Sequence, residues 1–121
     1  MSTSLDPIAV AKMPEDQRRQ VISSVLQMLF QMKEQDALNA LTSVIRTLAE
    51  KATDEEYINW CKTTMSIIAT FPDNVVKAAL TLRSKAVSQL PKDLANRDSQ
   101  IVSRVMSMLD KATSDKLMRN M

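Results

Sequence analysis

Four carboxylates, Glu50, Asp54, Glu55 and Glu56, fall within seven residues and form the densest cluster of chemically capable side chains in the sequence. Paired carboxylates can work as general acid and base, or hold a calcium ion. Here they flank Thr53, and Thr53-Asp54-Glu55-Glu56 has the form of a capping box. The Thr53 hydroxyl accepts from the Glu56 amide while the Glu56 carboxylate reaches back. Acidic residues in a first helical turn are also favoured by the helix dipole. A calcium loop of the Asp-x-Asp-x-Asp-Gly kind needs a glycine, and the chain has none. Capping is the expected role.

The other chemistries fail on composition. Histidine is absent, which removes the commonest general base and metal ligand. Cys61 is the sole cysteine, so there is neither an internal disulfide nor a Cys-x-x-Cys site. Its place on an apolar helical face predicts a buried structural thiol. Without glycine there is no phosphate-cradling loop, dinucleotide fingerprint or nucleophile elbow. No catalytic residue, metal or cofactor is expected.

Two kinds of charged feature remain. Arg83 falls near the middle of an apolar helical face, among Val76, Ala79, Leu80, Ala86, Val87 and Leu90. Buried there it must be paired, because an isolated interior charge is expensive. Either it meets a carboxylate of the acidic half or snorkels to the rim, or it emerges in a groove and holds a partner's carboxylate or a phosphate. The second feature is a charge asymmetry. Residues 1–73 hold seven basic and ten acidic side chains, and residues 74–121 hold nine and four. Lys77, Lys85, Lys92, Arg97, Arg104 and Lys111 could line up as a basic stripe for nucleic acid. Residues 74–121 contain no aromatic side chain on which bases could stack. Two halves attracting each other within one fold is the simpler expectation.

The elements that must position these residues are helices. Asp6-Pro7 caps and starts a short N-terminal turn within 1–13. Apolar spacing at 3.6 residues then predicts five main helices, roughly 14–33, 36–52, 54–71, 73–90 and 98–112. Pro14, Pro72 and Pro91 punctuate them, and Asp73 and Asp98 read as caps. Residues 113–121 read as a short C-terminal turn or tail. Short connections suggest mostly antiparallel neighbours, in a five-helix bundle or a short stack of αα-hairpins. At 121 residues the chain fits one helical domain. It shows no signal peptide, membrane span or linker, and a reducing, cytoplasmic setting is expected.

The first long helix is apolar over an arc of about 200°, wider than a one-sided amphipathic helix needs. Leu26 and Phe30 at the edge of that arc, with Met28, mark it as a surface for a protein partner or a second copy. Nine methionines are present, and Met28, Met32, Met65, Met106 and Met108 are expected to fill irregular core gaps or to form an adaptable groove. The leading expectation is therefore a non-catalytic adaptor or assembly module using Leu26, Met28, Phe30 and Arg83. The alternative is a nucleic-acid-binding subunit using the basic C-terminal part.

Overall fold

A chain without glycine must turn using right-handed and extended backbone alone, and no described residue has a positive φ. The computed structural model describes residues 6–121, so the N-terminal turn is seen from Asp6 onward. The described residues form helices and no strand: α1 Pro7–Ala11, α2 Glu15–Gln31, α3 Glu34–Lys51, α4 Asp54–Ile68, α5 Asp73–Ser88, α6 Lys92–Met108 and α7 Lys111–Arg119. The expected all-α class is observed, with seven helices in place of five.

Two kinds of joint connect them. Before α2, α5 and α6 the chain closes the previous helix in a tight right-handed turn, and then proline takes the N-cap position. Pro14, Pro72 and Pro91 all have φ between −59° and −54° and ψ of 150–153°. Proline ends a helix because it lacks an N–H and forces the preceding residue out of α geometry. The other joints are two extended residues: Met32-Lys33, Ala52-Thr53 and Leu109-Asp110. Thr53 and Glu56 form the expected capping box, and Asp6 caps α1.

Three boundaries differ from expectation. Asp98 does not cap the fifth main helix, because α6 already begins at Lys92 behind Pro91. Asp73 is the first residue of α5 and not its cap. The expected tail is a helix, α7, started by Asp110, whose side chain accepts from the Thr113 amide. Leu117 is fully buried, and Lys116 and Asn120 tie α7 to Phe71 and Asp73.

The packing also departs from the expectation that consecutive helices lie side by side. The main contacts are α3 on α5, α4 on α6 and α2 on α4, with α1 set against α4 and α3. Both kinds of joint carry the next helix away from its predecessor, so second neighbours meet instead. The central helix is α4 rather than α2. It buries Tyr57, Ile58, Trp60, Cys61, Thr63, Met65, Ile67 and Ile68 around most of its circumference. The principal core gathers around it from all the other helices, α3 contributing Leu48 and Ala49. A smaller cluster of Leu38, Ile45, Ala86 and Leu90 joins α3 to α5.

Helix ends show what replaces glycine. Usually a left-handed C-terminal residue returns amides to the last carbonyls. Here cations of other helices do so. Arg18 donates to the carbonyls of Ala11 and Met13 after α1. Arg97 donates to Leu48, Ala49 and Ala52 at the end of α3. Lys116 donates to Phe71 beyond α4. Positive charge at a helix C-terminus also answers the dipole.

Candidate functional site

Although only Gln89, Leu90 and Pro91 separate them, α5 and α6 make little contact. Between them lies an open groove of about 730 Å³. Its apolar lining comes from Leu80 and Val87 on α5, Val102 and Met106 on α6, and Met65 of α4 below. Met118 and Met121 flank it from the C-terminus, 60% and 66% exposed. That volume lies within the range of pockets that engulf sizeable ligands.

Besides Lys85 and Asn120, the polar groups in the groove fall into two sets. The first is the side chains Thr81, Ser84, Ser99 and Ser103. Elsewhere hydroxyls such as Ser24, Thr42, Thr47, Thr64 and Ser66 donate to the carbonyl four residues earlier. Among the described residues the four groove hydroxyls have no such protein partner, which leaves them available to water or to an incoming group. The second set is the Arg83–Asp98 pair. Arg83 donates from Nη1 to Asp98 Oδ2 at 2.9 Å and from Nη2 to Oδ1 at 2.7 Å, a two-pronged contact. The Tyr57 hydroxyl also donates to Asp98 Oδ1, and Arg83 Nη2 reaches Cys61 Sγ at 3.8 Å. The side chains of Arg83 and Asp98 are only 15% and 3% exposed.

The arrangement explains the arginine in the apolar face. Arg83 is paired, as burial requires. Its partner is Asp98 of the basic half, not a carboxylate of the acidic half. In α6, Leu94, Asp98, Ile101 and Val105 recur at i, i+4, i+7 and i+11, so one face directs them all inward. The sign that would have revealed this was Pro91 followed by Asp93, a start of the same form as Pro14-Glu15-Asp16. With α6 starting there, Asp98 is seven residues beyond the cap position, Pro91.

The phenol and thiol beside the pair keep their protons at neutral pH. Burial, with the Asp98 charge beside it, holds the Tyr57 phenol far above its ordinary range. Burial likewise pushes the Cys61 thiol up to about 11. A thiol so placed is a poor nucleophile at neutral pH. It also links stability to alkali. From the ordinary thiol value of 9.0 up to about 11, the unfolded chain has lost a proton that the folded chain keeps. Stability therefore falls as pH rises through that window, by about 2–3 kcal/mol from the thiol alone. Urea unfolding at several pH values should show this fall, and C61A should flatten it. An equally steep fall in C61A would assign the loss to other groups.

The remaining predicted residues scatter. Leu26 is 6% exposed and belongs to the principal core, which corrects the expectation that it forms an outer surface. Leu26 and Phe30 both line a small internal void of about 40 Å³ beside Trp60 and Ala79. The outer part of the Phe30 ring meets Phe71 edge-on, with centroids 5.6 Å apart. Met28 and Phe30 are open to solvent, at 62% and 43%, so of that trio Leu26 alone leaves the surface. Of the five methionines expected to fill core gaps, only Met65 is fully buried. Met106 is partly covered, while Met28, Met32 and Met108 are exposed.

The six cations expected in a basic stripe answer separate partners. Lys85 meets Glu34 and Lys111 meets Asp115. Arg97 and Arg104 converge on Asp54, whose carboxyl is lowered chiefly by the Arg97 hydrogen bond. Arg97 also lies over the Tyr57 ring. Lys77, on α5, and Lys92, at the start of α6, are exposed.

Comparison adds no relative: no family model, curated protein or solved structure matches the chain. Among the described residues no helix is long and apolar enough to cross a membrane, and no cluster of three or more metal-ligating side chains occurs.

Proposed function

We propose that the protein is a non-catalytic interaction module that receives an amphipathic helix in the groove between α5 and α6. The observation that carries this reading is the separation of two consecutive helices over a methionine-flanked trough. A trough with long, pliant apolar walls and a few hydroxyls suits a helix that presents anchors at i, i+4 and i+7. Because Asp98 already neutralises Arg83, the floor offers a neutral-polar contact and does not select an anion. The locked phenol and unreactive thiol beside it support a binding role over a chemical one. The nucleic-acid reading needs several free cations on one face, and four of the six candidates are engaged with carboxylates.

Selection from a displayed library of helical peptides tests the proposal, with S103W protein as counter-target. Ser103 is exposed and lines the groove, so an indole there fills the trough without entering the core. Enriched peptides should carry an apolar i, i+4, i+7 row. They should shift the labelled methyl signals of Met106, Met118 and Met121 and leave that of Met28 unchanged. If no peptide prefers the wild-type protein to S103W, the proposal fails.

A further inference from the structure

Between Arg19 and Lys33, α2 and its end contain no charged residue: Gln20 to Met32 reads QVISSVLQMLFQM. About half of this run faces the core through Ile22, Leu26 and the partly buried Leu29. The outer part is unusual for a surface helix. Gln20, Ser24, Gln27, Met28, Gln31 and Met32 are exposed, and Val21 and Val25 are half-buried. Val21, Val25, Met28 and Met32 stand at i, i+4, i+7 and i+11, forming one apolar row with glutamines and a serine along its outer side. Charge depletion around an apolar row marks the centre of protein interfaces.

Resting on the reading of the groove as a helix receptor, we infer that its occupant is the outer face of α2 from a second copy of this chain. Length agrees. Val25 to Met32 spans about 10.5 Å along a helix, and the α6 wall from Asp98 to Met106 runs about 12 Å. Chemistry agrees as well. The methionine-flanked trough meets the valine–methionine row, and the unpartnered hydroxyls of Thr81, Ser84, Ser99 and Ser103 meet the amides of Gln27 and Gln31. Charge complements this at the edge. Glu15 and Asp16, at the start of α2, are in no ion pair among the described residues. Lys92, in no ion pair among the described residues, stands just beyond the α5–α6 joint, and Lys85, which already meets Glu34, lines the groove on the near side. No α2 residue lines the copy's own groove, so the contact is between molecules. It joins two different surfaces, and association either closes into a ring, a reciprocal pair included, or continues as a chain.

Complementation in solution tests this with the full-length chain. Sedimentation and light scattering should show the wild type above the 13.6 kDa monomer mass at high concentration. M28E, which spoils the α2 face, and S103W, which fills the groove, should each weaken association about tenfold or more. Both residues are exposed, and circular dichroism should confirm unchanged helicity. Mixed together, the two variants should recover a two-chain species, because S103W supplies an intact α2 face and M28E an intact groove. A wild type that is monomeric at about 100 μM, where a contact of micromolar Kd would be formed, overturns the inference. So does association that S103W leaves unchanged, as a symmetric α2-to-α2 dimer would, or a mixture that stays monomeric. Peptides selected by the groove of a monomeric protein would leave the receptor reading intact while removing this occupant.

Discussion

Replacing Asp98 with alanine is expected to destabilise the fold by about 3–5 kcal/mol, the range seen when one partner of a buried ion pair is removed. The substitution would leave Arg83 as a desolvated cation against Cys61, and would take the acceptor from Tyr57. The informative companion is the double change R83M/D98L, which removes both charges and keeps most of the volume. Well-packed apolar replacements of buried pairs are often neutral or stabilising, and the double variant is expected to lie within about 1 kcal/mol of the wild type. Urea unfolding measures both. If D98A falls by less than about 1 kcal/mol, water reaches the pair freely and behaves as it does around a surface ion pair. The groove floor would then be softer than its geometry suggests.

R18A is expected to lower stability by about 2–3 kcal/mol, the scale of hydrogen bonds made by a charged group. Arg18 is buried without a carboxylate. Its Nε donates to Thr63 Oγ1 at 2.8 Å, and its Nη1 donates to the Met13 carbonyl at 2.7 Å and the Ala11 carbonyl at 3.4 Å. One side chain thus joins the end of α1, the first turn of α2 and the middle of α4. Removing it leaves carbonyls at the end of a five-residue helix that has little independent stability. Hydrogen exchange should therefore show amides near Ala11–Met13 losing protection before the rest of the molecule does. Uniform loss of protection would mean that α1 is not a separate unit held by this residue.

The sequence and the structure agree where the signals are local. Asp6-Pro7, Pro14 and the Thr53–Glu56 box specify their helix starts through backbone chemistry that acts within four residues. The buried faces of α3 and α4 follow from periodicity. What could not be read was which flank of a wide apolar arc turns inward. In α2 the wheel placed Leu26 and Met28 on one broad arc, yet Leu26 meets the core and Met28 meets solvent. That choice depends on where α4 lies, and it lies there because the joints send second neighbours together. The same limit hid the groove. No pattern within α5 or α6 reveals that two helices joined by three residues stand apart. Arg83 was legible as a residue needing a partner, and Asp98 was missed because an aspartate before an apolar run resembles a cap.

The extended joints have an evolutionary corollary. A bend that stays within backbone regions open to every L-amino acid makes no demand for glycine at its corner, so apart from the capping side chains of Thr53 and Asp110 the corners can drift while the shape persists. What cannot drift alone are the cations by which one helix terminates another: Arg18 nearby for α1, and from afar Arg97 for α3 and Lys116 for α4. Descendants of a common ancestor with this architecture would be told by those co-occurring tethers and not by any turn motif.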